Sequence, residues 1–412
     1  MNLNSEFIRN VLTLVTGTSI AQAIPILIMP ILTRLCSPED FGIYASYLAL
    51  VSMFGVVATG RLDMALMLPK KNEDSIRIIL IAICLTFAIT IFLYPLVYAI
   101  DIASSFLNLT IKAWHYHIPI GVLLFSLYAL IISWHNRNKH YKLMSHSRVI
   151  QSSSISLSQV IVGSFGNYNL GLIYSDLLGR LIAIILIYKK TGLINYKIKF
   201  NKVKILALIK RYKKFPIIEA PASLVNVSAH HLPFIVLPFI FSSTVAGLYF
   251  LVFRVLMMPA SLIGKAVLEV FKNRAQEDFT STGNCRLIFK RIGVILFLMS
   301  LIPAILIVIF APSLFMFAFG KEWREAGEYA RILTPFALLQ FVSSPLSYVL
   351  VFREKLFLDF KLQIIFLVLV SSSLWVASIF SSILVAVWLL TASGVIFSSL
   401  QLYFSYRHAK LI

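Results

Sequence analysis

The sequence predicts an all-α integral membrane protein of about twelve transmembrane helices, in two parallel-related halves of six. Three observations predict it. The 412 residues are 59% hydrophobic and 13% charged, with a mean hydropathy of +0.87, whereas a soluble domain carries about 25% charged residues. Several uncharged runs, among them 10–33, 41–60, 78–100, 292–320 and 332–352, reach the ~20 residues that a spanning helix needs. The cations behind the net charge of +20 sit in the joints between these runs, the placement expected of cytoplasmic loops rather than of a nucleic-acid surface. Runs this long lack the alternation of barrel strands, and helices satisfy their backbone groups within lipid.

The spans are placed at 8–34, 41–67, 77–100, 114–134, 147–165, 169–188, 215–240, 244–270, 288–312, 328–352, 359–380 and 383–405. The first leads directly into more apolar sequence, so it is expected to be retained rather than cleaved as a signal. The strongest local pattern is the hairpin from Pro25 to Asp63. A proline-kinked helix runs to Thr33, a polar turn covers Arg34 to Asp40, and a second helix begins near Phe41. By charge alone the turn, with Arg34, Glu39 and Asp40, reads as a solvated loop. The second half repeats much of this. Pro25 and Pro30 are echoed by Pro233 and Pro238, Gly42-Ile43-Tyr44 by Gly247-Leu248-Tyr249, and Gly60-Arg61 at the helix end by Gly264-Lys265.

The joint from Lys189 to Lys214 holds ten basic residues and divides the repeats. We therefore expect an N-terminal bundle over 1–190, a basic linker over 191–214 and a C-terminal bundle over 215–412. Val203, Leu206 and Ile209 fall at helical spacing among the linker cations, which predicts an amphipathic helix on the inner leaflet. Six spans per half make the halves parallel, with a pseudo-twofold axis along the membrane normal. A cytoplasmic N-terminus assigns about 30 of the 37 Lys and Arg to that side, so both termini are expected there. Serines 152–154 and 371–373 fall within spans, where small residues let helices approach. Cys36, Cys84 and Cys285 form no metal or redox motif.

Charges inside spans cost about 2.5–3.5 kcal/mol each on insertion scales and mark sites by default. Arg254 lies in the middle of the eighth span; it is a candidate ligand-binding cation, or a buried Arg bonded to carbonyls. Asp176 and Arg180 are four apart on one helix face, as a functional couple or a structural ion pair. Lys265 and Glu269 repeat that spacing near the inner end of their span, where snorkelling is the simpler reading. Glu219 lies between Pro216 and Pro221 and is a candidate proton-binding carboxylate. His230 and His231 are mid-span; one could relay protons, or sit neutral against a neighbouring helix. Adjacent histidines point apart on a helix, so a metal site using both is not expected. Arg61 and Asp63 close the second span at the inner face, as topogenic charges or as the lining of an inner gate with Lys265. Walker, Gly-x-Ser-x-Gly and metalloprotease motifs are absent from the sequence.

The segment PILTRLCSPEDFGIYASYLALVSM, followed by TGRLDMALMLPKKNEDS, resembles the opening hairpin of bacterial polysaccharide-unit flippases. This is the O-antigen translocase group of the multidrug/oligosaccharidyl-lipid/polysaccharide exporter superfamily. The likeness is carried by residues 10–80, and beyond them by span count, repeat and basic central joint. It implies two six-helix bundles around a central cavity, rocking between inward- and outward-open states in the bacterial inner membrane, without enzymatic activity. It also implies an undecaprenyl-diphosphate-linked oligosaccharide as cargo, with a polysaccharide polymerase and a chain-length regulator as further partners. A diphosphate favours Arg and Lys, so Arg254, Arg180, Arg34, Arg61 and Lys265 form the expected substrate-binding set. The expected ion-coupling set is Asp176, Glu219, Glu269 and His230, driven by a proton or sodium gradient and with no other cofactor. The alternatives are a multidrug exporter of the same superfamily, a membrane polysaccharide polymerase and a scaffold role. The cargo of an exporter is often cationic, which favours acids. A polymerase needs a sizeable external loop, and the longest here, Pro312 to Glu328, is short.

Overall fold

The computed structural model describes residues 5–106, 113–165, 168–189 and 201–410. The helices are α1 (Ser5–Leu35), α2 (Pro38–Ala58), α3 (Leu62–Ala65), α4 (Asn72–Phe106), α5 (Ile118–Arg137), α6 (Tyr141–Ser164), α7 (Tyr168–Tyr188) and α8 (Lys202–Tyr212). After them come α9 (Ala220–Ile240), α10 (Ser243–Thr282), α11 (Arg286–Phe319), α12 (Arg324–Leu346), α13 (Tyr348–Phe352), α14 (Leu356–Phe380) and α15 (Ile383–His408). Among the described residues there is no strand, only an isolated bridge between Asn284 and Lys410. Eleven stretches of described helix are long and apolar enough to cross a membrane. The span expected at 147–165 is not among them: that stretch folds as the 24-residue helix α6, whose serines keep its hydropathy low. The chain is a multi-pass membrane protein.

Several helix ends differ from those expected. The first hairpin turn is tighter, because α1 continues to Leu35 and α2 starts at Pro38. Ser37 caps α2: its hydroxyl accepts from the Asp40 amide at 3.3 Å, and Asp40 Oδ2 accepts from the Ser37 amide at 2.9 Å. Proline at the first helical position sacrifices only an amide that has no intrahelical partner. The Gly-cation echo does not hold in three dimensions. Gly60 and Arg61 both adopt positive φ (57° and 54°) and break α2 from α3, whereas Gly264 lies inside the continuous 40-residue α10. That helix is about 60 Å long, twice the ~30 Å of hydrocarbon, and its second half carries Lys272, Arg274, Glu277 and Asp278. Similarly α11 continues through Pro312 to Phe319.

By spatial proximity the chain forms two compact units. One comprises Met1–Ile28 and Ser46–Val227, the other Met29–Ala45 and Ser228–Ile412. In the first, α6 packs along α7, and α5 lies against α4 and α7. Its base is a core of Leu62, Leu66, Ile76, Ile78 and Trp134, closed by Leu208 and Tyr212 of α8. Residues 191–200 of the expected linker lie outside the described residues. In the second unit α12 is central, packed by α10, α11 and α15. A methyl on Gly327 would overlap the Ala311–Pro312 backbone, so α11 and α12 touch almost backbone to backbone. The opposite side of α11 exposes Ile302, Ile305, Leu306, Ile309 and Phe317, as a lipid-facing helix does.

One side chain makes three bonds to the strap at the base of the first unit. Arg137, in the last turn of α5, donates to the Leu66 and Pro69 carbonyls at 2.8 and 2.6 Å and to Asn72 Oδ1 at 3.2 Å. Charge-assisted bonds of this kind contribute about 1.5–3 kcal/mol each. Arg137→Gln is expected to lower stability by about 2–3 kcal/mol and to raise hydrogen exchange selectively over 66–72. Unchanged exchange there would show that the strap holds without it.

Candidate functional site

The interior of the first unit holds a charged couple. Asp176 on α7 is 1% exposed, and Arg180, one turn later, grips it with two bonds, Nε to Oδ2 at 2.7 Å and Nη2 to Oδ1 at 2.9 Å. The guanidinium carbon also lies 5.4 Å from the centroid of Phe125 on α5. Tyr47 of α2, fully buried, aims its hydroxyl at Asp176 Oδ2 from 3.5 Å. Tyr47 was not singled out from the sequence, because its partner lies on a helix distant in the chain. Nearby polar pairs are Tyr128 with Ser147, at 3.0 Å, and Arg148 with Thr18. In a buried fork–carboxylate pair the carboxylate oxygens accept both guanidinium bonds, so the two charges compensate each other away from water.

Two further candidates sit at the base of this unit. Arg61 lies at the α2–α3 break, with Nη1 3.7 Å from Asp63 and Nη2 3.1 Å from Met64 Sδ. Asp63 also accepts from Thr59 Oγ1 at 2.9 Å. Glu219 is exposed and ends a π-helical turn, Phe215–Glu219. Pro216 of that turn lies against Gly60. Proline removes an amide donor, and a widened turn is one way for a helix to accommodate the loss.

In the second unit the two glycines of the repeat meet. A methyl on Gly42 would overlap the Ser243 carbonyl oxygen, and a methyl on Gly247 would overlap that of Pro38. The relation is reciprocal. Ser242 caps α10 as Ser37 caps α2, its hydroxyl accepting from the Val245 amide at 3.2 Å. Each glycine lies five residues after its capping serine, and each faces the carbonyl of the other helix's first residue. The hairpin tip has two more anchors. The Trp323 indole, 0% exposed, donates to the Thr33 carbonyl at 2.9 Å, an acceptor left open at the end of α1. Phe41 meets the same indole edge-on at 5.0 Å. The turn expected to be a solvated loop is thus partly inside: Asp40 is 5% exposed and Cys36 4%, while Arg34, Ser37 and Glu39 face outward.

The remaining candidates of this unit are dispersed. Arg254 on α10 places its guanidinium 5.7 Å from the Phe250 ring. Phe250 belongs to an aromatic group with Phe234, Tyr249 and Phe253. His230 is half-buried against Phe366, at 5.1 Å, and His231 packs on Phe234 at 6.0 Å. Lys265 and Glu269 are exposed on α10. A cavity of about 140 Å³ between α10, α11 and α12 is lined by Leu256, Met299, Pro303, Thr334 and Phe341 among others; its apolar walls suit hydrocarbon rather than a charged head.

Burial, and then the Asp40 carboxylate, push the Cys36 thiol up from 9.0 to about 12. The stability contributed by the protonated thiol is therefore present below about pH 9 and is lost as the pH climbs toward 12. At neutral pH native Cys36 is expected to resist maleimide. Gly42→Leu or Gly247→Leu, which overpacks the crossing at a cost of about 1–3 kcal/mol, is expected to raise Cys36 labelling about tenfold in a Cys84→Ser background. Equal labelling of wild type and both variants would show that the crossing does not cover the turn.

Comparison with known proteins follows the same lines. A profile of the family described as polysaccharide biosynthesis protein matches residues 31–328. Among curated proteins none matches the sequence. The structure is similar to that of the lipid II flippase MurJ in its inward closed conformation, at 13% identity over 96% of this chain and 87% of that one, with a TM-score of 0.69. It is also similar to an inward-facing multidrug resistance MATE family transporter of the MOP superfamily, at 13% identity over 94% of each chain and a TM-score of 0.65. A third similar structure is a MOP superfamily transporter from Pyrococcus furiosus, at 14% identity over 97% and 95% of the two chains and a TM-score of 0.62. With the profile covering most of a chain that folds as these transporters do, the protein belongs to the polysaccharide biosynthesis protein family and carries the MOP superfamily fold.

Proposed function

We propose that the protein is a flippase for undecaprenyl-diphosphate-linked oligosaccharide units. It carries them from the cytoplasmic to the periplasmic leaflet of the bacterial inner membrane by alternating access. The observation that carries this reading is the pair Asp176 and Arg180, held inside the membrane helices of a polysaccharide biosynthesis protein. Flipping makes and breaks no covalent bond, so the chain needs positioning groups rather than a nucleophile. A diphosphate needs cations, and Arg180 is poised to supply one. While Asp176 is ionised it holds the guanidinium; when protonated it releases the fork to a phosphate. Proton entry and headgroup binding then compete for one arginine, which couples transport to the gradient. Within the second unit Arg254, mid-helix among aromatic rings, is a further candidate cation for a diphosphate. Of the other expected cations, Arg34 and Arg61 lie at helix ends, and Lys265 is exposed within α10. The polyprenyl tail stays in lipid. The polymerase and the chain-length regulator act on the delivered unit.

Deleting the gene is expected to leave complete lipid-linked units inside the cell and to strip polysaccharide from its surface. A surface glycolipid capped with a single unit would mark a polymerase instead, and unchanged pools would point to a drug exporter. Arg254→Ala is expected to cut surface polysaccharide at least about tenfold at normal membrane levels; full complementation would remove Arg254 from the mechanism. In reconstituted vesicles Asp176→Asn, which keeps a hydrogen-bonding partner for Arg180, is expected to flatten the dependence of transport on the proton gradient. Retained dependence would transfer coupling to Glu219, Glu269 or His230.

A further inference from the structure

Helix α8 has two apolar faces, and the first unit covers one of them. Leu208 and Tyr212 are 8% and 5% exposed and close the core of α3, α4 and α5. Val203, Leu206 and Ile209 point away from it, at 77%, 65% and 46% exposure. Between Lys202 and Lys214 the chain carries six cations, Lys202, Lys204, Lys210, Arg211, Lys213 and Lys214, without an acid, and all six are exposed. Water suits the cations but not the three apolar side chains. Bulk hydrocarbon suits the reverse. A lipid–water boundary suits both, with the aliphatic side chains in the acyl border and the ammonium groups at the phosphates.

Connectivity puts that boundary within reach. Tyr212 ends α8 only three residues before Phe215, where the next candidate span begins. A helix of 11 residues is about 16 Å long, too short to carry this face far from the bilayer. We propose that the outer face of α8 binds the anionic phospholipid headgroups of the inner leaflet and thereby pins the root of α9. The link is short. Tyr212 and Phe215 have ring centroids 6.3 Å apart, Phe215 packs on the same core, and Pro216 abuts Gly60 at the α2–α3 break. Lipid that holds α8 therefore holds the π-turn of α9 and the end of α2 together. The inference rests on the cytoplasmic placement of residues 201–214 and is independent of the cargo.

The test uses the full chain in nanodiscs of phosphatidylcholine, alone or with about a third phosphatidylglycerol, read by hydrogen exchange. Amides over 203–219 are expected to exchange about tenfold more slowly with the anionic lipid. The effect is expected to vanish in the K202Q/K204Q/K210Q/K213Q variant and in ~0.5 M salt. Exchange in α12 reports whether the variant is folded, and the salt titration on the wild-type chain decides the matter if it is not. Equal exchange in the two discs would overturn the proposal. So would equal protection by soluble polyphosphate in discs of phosphatidylcholine alone, which would assign the face to a dissolved polyanion. Neither outcome bears on transport of lipid-linked sugars, which is measured separately.

Discussion

The start of α2 and the start of α10 are held together by two glycines, each lying on the first carbonyl of the opposite helix. Lipid tails are as apolar as leucine, so a membrane protein gains little from burying its side chains against one another. Close backbone approach must supply what the hydrophobic effect supplies elsewhere. With no Cβ in the way, each glycine directs a Cα–H at a carbonyl oxygen, worth about 0.5–1 kcal/mol apiece, and the flanking side chains pack at full contact. Much of the local structure follows from that approach. It brings Tyr44 within 6.3 Å of Phe250 and accompanies the seating of the Thr33 carbonyl on the Trp323 indole. It also takes Cys36 and Asp40 out of water.

Charge inside the helices is handled in three ways. Asp176 and Arg180 neutralise each other in a bidentate pair. Arg137 spends its donors on backbone carbonyls and an asparagine, and so becomes structural. Arg254 lies against an aromatic face, which attracts a cation through the ring's quadrupole. The carboxylate partner makes the first an ion pair, and the backbone partners make the second a tie across the strap. Intramembrane charge alone does not separate these cases; the partner does.

Much of the fold was legible in the residues, because the bilayer sets the length and composition of anything that crosses it. The spans, the basic joints and the paired prolines all follow from that constraint. The repeat was legible too, and Gly42 and Gly247 proved to be its meeting point. Helix ends were less so. Ser37-Pro38-Glu39-Asp40 reads as a polar loop by charge, yet it is a capping sequence in which Asp40 is buried by the bonds it makes. Gly60 and Gly264 look alike in sequence, but only Gly60 has a left-handed backbone, because the residues after Gly264 stay helical. Of the site, the Asp176–Arg180 pair could be read from its four-residue spacing. Tyr47 could not, since a contact between distant helices leaves no local pattern.

Helix α6 carries eight serines over Tyr141–Ser164 and is the least apolar of the long helices. A segment of that composition partitions poorly into lipid when it emerges alone from the ribosome. Some of its hydroxyls find partners only in the folded bundle: Ser152 donates to the Ala21 carbonyl, and Ser147 shares a hydrogen bond with Tyr128. Helix α7, which packs along its length, follows almost at once in the chain. The two are therefore best delivered to the bilayer as a preformed hairpin, with the apolar member carrying the polar one. The serines that tighten the mature bundle thus set the order of its biogenesis.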